Sequence, residues 1–359
     1  MLGIRMKYME YQPFISVIIP VYNGSKYLNQ CLDALMTSSY RQFEIIVVDD
    51  ASTDDSVDIC RKKGIAVLQM SHQSGPAAAR NYGTHKARGE ILLFVDSDVL
   101  VQQETITRVA ADFMNNPNIA AVFGSYDDSP DASDFLSQFR NLFHHFIHQN
   151  SHREAKTFWT GCGAINKEIF FQLKGFDEGW FSIEDIELGH RIWNNGYRIM
   201  LDKELQVKHL KEWRWRNWLK TDIYYRAVPW SRLILSSGHL PRDLNLQTPH
   251  IISAVLVGLL TLTTFLIFLN PINLFGVHLN VILLILSLLL ILTLIILNRG
   301  LYAFFLQKRG VKFTILAIPI HFIYYFYSGV AFTLSWTLNK LDNLIPGFRK
   351  FNRSHKRKA

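Results

Sequence analysis

Charged side chains are missing from one long part of this 359-residue sequence. Between Ile251 and Asn298 there is no Asp, Glu, Lys or Arg, although 19% of the chain is charged. Globular cores rarely contain uncharged stretches of this length, whereas about 20 apolar residues are enough to span a bilayer. The C-terminal hundred residues therefore indicate a membrane region, and the first 250 residues have the composition of a soluble α/β domain.

Cysteine is scarce, and so is any N-terminal export signal. Cys31, Cys60 and Cys162 are too widely spaced for a disulfide framework or a zinc site, so we expect reduced cytosolic thiols. The first apolar run, Phe14 to Ile19, is short, ends at Pro20 and follows no signal-peptide pattern. We expect the N-terminal domain to stay in the cytoplasm.

Basic charge is also scarce outside the C-terminus. Residues 338–359 carry +6 of the formal +8, so the rest of the chain offers no basic face for nucleic acid. This basic tail either meets anionic lipid head groups or is a solvated tail, and the sequence leaves both readings open. It gives no indication of an oligomeric state.

What is present in the first half is an alternation of short apolar runs and helix-like stretches. Such runs separated by helices predict βαβ units and a mainly parallel sheet. The predicted strands are Ile15–Ile19, Glu44–Val48, Ala66–Met70, Ile91–Val95 and Ile119–Phe123, and the predicted helices are Lys26–Thr37, Asp54–Lys63, Pro76–Ala87 and Glu104–Asn115. Ligands of such sheets bind outside the carboxyl ends of the strands, which points to Pro20–Gly24, Asp49–Asp54 and Asp96–Asp98.

Acidic residues follow two of these strands. Asp49 and Asp50 could accept hydrogen bonds from a nucleobase or ribose. Asp96 and Asp98 are two residues apart, so both would lie on one face of an extended chain and repel each other unless a cation lies between them. A divalent ion that bridges to a diphosphate, Mg²⁺ or Mn²⁺, is the natural occupant. Further on, Glu184 and Asp185 precede a predicted helix, where a carboxylate can act as a general base or simply favour the helix N-terminus.

The C-terminal part divides into an interfacial segment and hydrophobic spans. Trp and Arg residues alternate between His209 and Leu235, which fits a helix in the bilayer interface, or one packed against the catalytic domain. The predicted organisation is a tail at 1–13, a catalytic domain at 14–210, an interfacial amphipathic segment at 211–245, a membrane region at 250–337 and a basic tail at 338–359. Spans are expected at 251–269, 281–297 and 313–337.

Several motifs, in this order, resemble the GT-A fold, family 2 glycosyltransferases. They are SVIIPVYNG at Ser16–Gly24, VVDDASTD at Val47–Asp54, GPAAARNYG at Gly75–Gly83, FVDSD at Phe94–Asp98, TGCGAINKEIFFQLKGFDE at Thr160–Glu178 and EDIELGHR at Glu184–Arg191. The resemblance covers about residues 14–210 and implies a membrane-anchored enzyme with a Rossmann-like catalytic domain. It also implies a nucleotide-sugar donor and an inverting single displacement.

The resemblance implies roles for individual residues. In the donor site, Pro20, Val21 and Tyr22 would border the base, Asp50 would contact it with Asp49 beside it, and Arg80 would lie near the base or phosphates. Asp96 would face the ribose or the metal, and Asp98 would ligate the metal. Asp185, with Glu184 beside it, would be the catalytic base. Gly161, Gly163, Arg226 and Trp230 are candidate contacts for the acceptor or the diphosphate.

One departure from the family affects the expected product. Processive members carry a Q-x-x-R-W motif, whereas residues 225–230 here read YRAVPW, with no Gln and a different spacing. We therefore expect transfer of one sugar to a lipid-linked or membrane-proximal acceptor. The alternatives are a subunit of a processive polysaccharide synthase and an inactive membrane scaffold. A nucleotidyltransferase is disfavoured because residues 20–24 form no basic, Gly-rich phosphate loop.

Charge counting around the spans gives a conflicting topology. The loop Asn270–Asn280 has no Lys or Arg, and the loop Asn298–Lys312 has four, which places the first outside and the second in the cytoplasm. A third full span would then put the basic tail outside, against the same tendency. We expect three spans and a multi-pass protein. The alternative is a third segment that re-enters or lies in the interface.

Overall fold

The computed structural model describes residues 11–180, 182–237, 242–269 and 277–344. Most of the predicted N-terminal tail, most of the loop after the first span and the charges of the basic tail beyond Pro346 lie outside the described residues. The chain forms two compact units. The first comprises Met1–Ser125, Arg153–Glu178 and Glu184–Leu210, and the second comprises Tyr126–His152, Gly179–Ile183 and Lys211–Ala359.

The first unit is built on a mixed sheet of nine strands among the described residues. Its parallel half has the order β3 (Val67–Gln69), β2 (Phe43–Asp49), β1 (Ile15–Val21) and β4 (Ile91–Val95), with Val21 paired to Asp49. The continuous apolar runs fit this position because helices cover both faces and leave every residue of β4 buried. The predicted βαβ units are thus confirmed.

Antiparallel strands form the other half of the sheet. β8 (Cys162–Asn166) lies between β4 and β6 (Ile119–Tyr126), and β9 (Arg198–His209) follows β6 and pairs with the short strands β5 (Val99–Leu100) and β7 (Glu154–Ala155). The pairing of β8 brings residue 162 beside Val95, at the carboxyl end of β4. Residues distant in sequence therefore meet at this edge.

The helices of the first unit connect these strands. They are α1 (Ser25–Met36), α2 (Ser56–Lys62), α3 (Pro76–Lys86), α4 (Thr105–Asn115), α6 (Lys167–Gln172) and α7 (Glu184–Asn194). Two of them matter for the site. α3 begins with Pro76 after Gly75, whose φ of 94° only glycine adopts readily. α7 begins with the two acidic residues Glu184 and Asp185.

The second unit contains α5 (Phe135–Asn150) and the Trp- and Arg-rich segment. That segment forms α8 (Trp215–Leu219), a π-helical stretch (Lys220–Ala227) and α9 (Val228–Ser237). Phe139 and Phe143 of α5 pack against Phe305 and His321 of the C-terminal region. Aromatic contacts of this kind fasten α5 to the long helices that follow.

Three of the described helices are long and apolar enough to cross a membrane. They are α10 (Thr248–Leu269), α11 (Val277–Leu297) and α12 (Arg299–Leu344), and each contains one predicted span. α12 is longer than the predicted third span because the basic stretch before Phe313 is also helical, with a break at Gly310 (φ 79°, ψ −177°). In the basic stretch Lys308 pairs with Asp128 at 2.5 Å, and Arg309 donates to Gln138 at 2.6 Å.

Candidate active site

Two loops meet at the carboxyl ends of β1 and β2. Asn23, with a φ of 48°, donates its backbone N–H to Ser52 Oγ at 2.9 Å and accepts from the backbone N–H of Thr53 at 2.8 Å. Asp54 accepts from the backbone N–H of Ser25 at 2.9 Å. These bonds hold the two loops together at the edge where the sequence places a ligand.

The two aspartates after β2 have different surroundings. Both oxygens of buried Asp50 accept backbone N–H bonds, from Ser74 at 2.7 Å and Gly75 at 2.8 Å, so this carboxylate fixes the loop that precedes α3. Asp49 is also buried; its Oδ2 accepts from the backbone N–H of Ser52, whereas Oδ1 has no hydrogen-bond partner among the described residues. A buried oxygen of this kind calls for a donor from elsewhere.

Residues beside this pair supply an exposed aromatic ring and a strained turn. Tyr22 is 46% exposed next to buried Val21, and Pro20 precedes them at the end of β1. Ala51 has a φ of 59°, a conformation that costs a residue with a Cβ some strain and recurs near ligand sites. Tyr22 is thus accessible to a flat ligand.

Buried Arg80 lies at the centre of a cluster of charged groups. Its guanidinium donates from Nη2 to Asp96 Oδ1 at 2.7 Å and from Nη1 to Glu184 Oε1 at 2.5 Å, and its side chain is 4% exposed. One arginine therefore serves two carboxylates, and Asp185 adds a third negative charge nearby. We call Arg80, Asp96 and Glu184 the Arg80 cluster. It contains two carboxyl groups for one guanidinium.

Burial changes the chemistry of Glu184. It raises the pKa of this carboxyl to about 7; the charge of Asp185 acts in the same direction, and Arg80 acts against both. Glu184 Oε2 is buried without a hydrogen-bond partner in the described part of the chain. Because it is fixed by Arg80 and closed to solvent, Glu184 has the surroundings of a positioning residue.

The Asp96–Asp98 segment is a turn rather than the extended chain expected from the sequence. The backbone N–H of Val99 donates to the carbonyl of Asp96 at 3.1 Å, because the chain reverses from β4 into β5. Asp98 is 19% exposed, and its Oδ2 lies 3.8 Å from Nε2 of His209 at the end of β9. The turn directs Asp96 to Arg80 and Asp98 to His209.

The side chains near Asp98 supply only some of the ligands that a divalent ion needs. Across the ranges that the structure describes, no group of three or more His, Cys, Asp or Glu side chains could hold a metal. Asp98 and His209 offer one carboxylate and one imidazole. A hard cation that takes its other ligands from substrate phosphates and water needs no more than this. The arrangement therefore fits a metal that arrives with the donor, not a closed protein site.

Asp185 is placed differently from its neighbour Glu184. It is partly exposed at the first turn of α7, and its Oδ2 accepts from the backbone N–H and the hydroxyl of Thr160 at 3.3 and 3.4 Å. A held, solvent-accessible carboxylate can take a proton from a hydroxyl group.

The two candidate glycines near Asp185 have a packing reason. A Cβ on Gly161 would lie 2.1 Å from the Trp159 ring, and one on Gly163 would lie 2.2 Å from the Trp159 carbonyl oxygen. Gly161 also accepts from the backbone N–H of Asp96 at 3.4 Å. Their contact with an acceptor or diphosphate stays a prediction.

Arg226 and Trp230 belong to the second unit. Arg226 is exposed on the π-helical stretch, where its charge lowers the pKa of Asp222. Trp230 on α9 lines a cavity of that unit. Their predicted contacts also remain untested.

Sequence reasoning missed His209, Thr160 and the Ser74–Gly75 amides. His209 follows Asp98 by more than a hundred residues and reaches it only through the antiparallel pairing of β5 with β9. Thr160 did lie within a quoted motif, but nothing in its type indicates that it orients Asp185. The Ser74–Gly75 loop had one usable signal, the Gly-Pro pair that starts α3.

Comparison with known proteins finds a family match over the N-terminal part of the chain. The model of glycosyl transferase family 2 matches residues 16–173. Glycosyltransferase GlyA of Streptococcus pneumoniae serotype 4 is 40% identical over 218 residues, which is 55% of this chain and 31% of GlyA. Poly(ribitol-phosphate) beta-N-acetylglucosaminyltransferase TarS of Staphylococcus aureus is 40% identical over 103 residues, 27% of this chain and 18% of TarS. The chain spans less than half the length of these relatives.

A solved structure is similar over most of the chain. It is the mannosyltransferase PcManGT of Pyrobaculum calidifontis in complex with GDP-Man and Mn²⁺, at a TM-score of 0.56 and 19% identity, covering 90% of this chain and 88% of that one. At this identity the likeness shows the fold alone. It confirms the fold class predicted from the sequence.

Proposed function

Because residues 16–173 belong to glycosyl transferase family 2, we propose that this protein moves one sugar from a nucleotide-sugar donor to a lipid-linked or membrane-proximal acceptor. The observation that carries the proposal is the contrast between Glu184 and Asp185. One is buried against Arg80, and the other is held by Thr160 at the surface. An inverting displacement needs a single accessible base, and Asp185 is the carboxylate with that access.

The donor's nucleotide would bind at the carboxyl ends of β1 and β2. Tyr22 offers an exposed ring for stacking, and buried Asp49 lies at the adjacent end of β2. Asp50 acts through the backbone, because it fixes the Ser74–Gly75 loop that starts α3. Arg80 donates a hydrogen bond to Asp96 and so orients that side chain. Its guanidinium is therefore engaged in the protein rather than available to the phosphates.

A divalent ion, Mg²⁺ or Mn²⁺, would be held by Asp98 with His209 beside it. When bound, it supplies positive charge for the diphosphate that leaves. Asp96 stays hydrogen-bonded to Arg80 and adds negative charge at the same turn. Asp185 takes the proton of the acceptor hydroxyl as the oxygen attacks the anomeric carbon, and the diphosphate departs with the electron pair of the broken bond.

We also propose a multi-pass protein with a cytoplasmic catalytic domain and three spans. α10 and the C-terminal half of α12 run parallel: His250 meets Tyr325 at 2.8 Å, and a Cβ on Gly329 would lie 3.9 Å from the carbonyl of Ala254. Two parallel helices cross in the same direction, which supports a third full span. Single cysteines at Asn273, Lys308 and Ser354 test this in intact cells. An impermeant reagent should label the first and third positions only. Protection of the Ser354 position would contradict a third full span.

The function itself is tested with purified full-length protein and a panel of nucleotide sugars. Two quantities are measured with and without extracted membrane lipid. One is the nucleoside diphosphate released, and the other is the sugar recovered in the lipid phase. We expect the protein to use one of the donors. Added lipid should stimulate the release of nucleoside diphosphate, and each lipid product should carry a single sugar. A polymer would favour the processive alternative. No turnover with any donor, under conditions where the protein is folded, contradicts the proposal.

A further inference from the structure

A cavity of about 780 Å³ lies inside the second unit. Its walls come from α9, from α10 between His250 and Thr261, and from α12 between Tyr324 and Thr337. Its size is that of ligand sites, which occupy roughly 300–1,000 Å³. No part of the reaction described above uses it.

The cavity is about one leaflet deep. The stretch of α10 that lines it is about 17 Å long at 1.5 Å per residue. The hydrocarbon core of a bilayer is about 30 Å thick, so the cavity reaches roughly half-way across. It starts at the end of α10 that follows the Trp-rich segment, where Trp230 and His250 lie.

Most polar groups of the lining are already satisfied. The hydroxyls of Ser231, Thr261, Thr333 and Thr337 each donate to a backbone carbonyl of their own helix, at 2.7 to 2.9 Å. What these side chains present to the cavity is therefore mainly hydrocarbon. Asn245 just precedes α10 and His250 lies in its first turn, and Trp230 of α9 also lines the cavity.

The rim of the cavity is apolar and open. Val255, Phe326 and Val330 are 59%, 45% and 50% exposed on helices that are long enough to span a membrane. Tyr325 at the inner wall is 1% exposed. A hydrocarbon chain can therefore enter sideways from the bilayer without crossing a polar barrier.

Gly258 leaves open space on the α10 side of the cavity. Small residues in membrane helices usually allow two backbones to approach closely, and Ala254 and Gly258 have the spacing for that. A Cβ on Gly258, however, would have no neighbouring heavy atom within 4 Å among the described residues. Its missing side chain opens the cavity instead of bringing a helix closer.

We propose that this cavity binds the hydrocarbon chain of the lipid-linked acceptor, with the acceptor's polar head at the Trp230 and His250 end. The inference rests on the proposed function for the identity of the lipid. It commits to an amphiphile because the site is one leaflet deep, apolar along its length and polar at one end.

Filling the cavity at Gly258 tests the proposal. Gly258→Leu adds a side chain where there is open space and favours the helix. Leu262→Phe adds volume on the same helix at a residue that is 52% exposed and outside the cavity lining. Both full-length variants are compared with wild type in bilayer discs that contain extracted membrane lipid. Sugar transfer to lipid and release of nucleoside diphosphate in lipid-free detergent are measured separately.

We expect Gly258→Leu to raise the KM for acceptor lipid at least about fivefold, a loss of about 1 kcal/mol, with unchanged donor hydrolysis. Leu262→Phe should match wild type in both assays. An unchanged KM in Gly258→Leu overturns the inference and leaves the proposed function intact. Sugar that wild type passes only to water-soluble acceptors overturns the lipid acceptor itself, and with it this inference.

A second measurement needs no variant. Alkyl phosphates of increasing chain length are tested as competitors of transfer by wild type at equal mole fraction in the bilayer. Inhibition should strengthen with length until the chain reaches about 17 Å, the depth given by the lining stretch of α10, and then level off. Inhibition that does not depend on chain length contradicts a chain-binding cavity, even if Gly258→Leu fails to fold.

Discussion

Two arginines with little solvent exposure, Arg80 in the first unit and Arg140 in the second, differ in the number of carboxyl groups they pair with. Arg80 in the first unit faces two carboxylates, Asp96 and Glu184. In the second unit Arg140 faces one, Asp222, at 2.5 Å, and lies 3.9 Å from the Trp213 ring. The first cluster has two carboxyl groups for one arginine, whereas the second is balanced one to one.

The hydrogen bonds repeat this contrast. Asp222 Oδ2 also accepts from Trp218 Nε1 at 2.6 Å and from the Tyr327 hydroxyl at 2.9 Å, so α5, the π-helical stretch and α12 meet at one atom. Although burial favours the neutral form, Arg140 and the other partners hold the pKa of Asp222 below its usual value. Burial instead raises the pKa of Glu184. A balanced cluster fastens helices, and an unbalanced one is adapted to a charged ligand.

The sharpest test of this contrast is Asp185→Asn, beside the Arg80 cluster. Loss of a general base should lower transfer by roughly 10²–10⁴-fold while nucleotide affinity and thermal stability stay unchanged. The matched control is Glu178→Gln, an exposed carboxylate bonded to Asn81. Equal loss of nucleotide affinity in Asp185→Asn would move this residue from catalysis to donor binding.

The balanced cluster should respond in stability instead. Arg140→Met leaves Asp222 buried without its closest cation and should cost about 3–5 kcal/mol in the free energy of unfolding. The comparison variant, Arg88→Met, breaks a pair in which the arginine is 74% exposed and should cost less than about 1 kcal/mol. Thermal unfolding of the full chain measures both. An Arg140→Met protein that is as stable as wild type but inactive would contradict a structural role for Arg140. It would then not differ in role from the Arg80 cluster.

Metal removal tests the divalent ion proposed at Asp98, two residues from Asp96 of the Arg80 cluster. Chelation should abolish turnover, Mg²⁺ or Mn²⁺ should restore it, and Asp98→Asn should lose about 10²-fold or more, because metal stabilisation of a leaving group amounts to several kcal/mol. Asp58→Asn changes an exposed surface aspartate and should be neutral. Full activity in chelator contradicts the metal assignment.

The smallest expected effect is a pH dependence of stability. Folded Glu184 keeps its proton to about pH 7, whereas the unfolded carboxyl loses it near 4.5. The folded state binds the extra proton between these values, so stability should fall as pH rises from about 4.5 to about 7, by up to about 3 kcal/mol. Glu184→Gln should remove this contribution to the loss of stability with rising pH.

A second buried carboxyl acts in the same direction and needs its own control. Burial, with Asp202 beside it, raises the pKa of Asp112 to about 7. Asp112→Asn should therefore remove the part of the stability loss that comes from Asp112. The part that comes from Glu184 should remain. The unfolding midpoint of each variant is followed across this pH range. A Glu184→Gln protein with the full wild-type dependence would show that Arg80 holds Glu184 charged.

The parallel half of the fold follows from sequence, as does β6, whereas the pairing of the antiparallel strands does not. Each of β1, β2 and β4 is an apolar run between turn residues, so its position can be predicted to within two residues. β8 and β9 owe their place to pairing with distant strands, and β9 includes Asp202, Lys203, Glu204 and Lys208, which break any apolar pattern. Local patterns carry no information on such pairing.

The same limit applies to the site. The motif residues Asp50, Arg80 and Asp98 could be named from the chain, but the structure gives each of them a partner that the sequence did not indicate. Asp50 binds the Ser74–Gly75 amides, Arg80 binds Glu184, and Asp98 approaches His209. Roles that depend on a partner far along the chain need the fold.

The most direct test of the account is binding of nucleoside diphosphates to the purified protein, measured by titration calorimetry with Mn²⁺ and then with chelator. We predict that one nucleoside diphosphate binds with Mn²⁺, that binding weakens strongly in chelator and in Asp98→Asn, and that Asp185→Asn binds like wild type. Binding that is indifferent to metal, or that is lost in Asp185→Asn and kept in Asp98→Asn, would contradict the assignment of donor and base roles to this edge of the sheet.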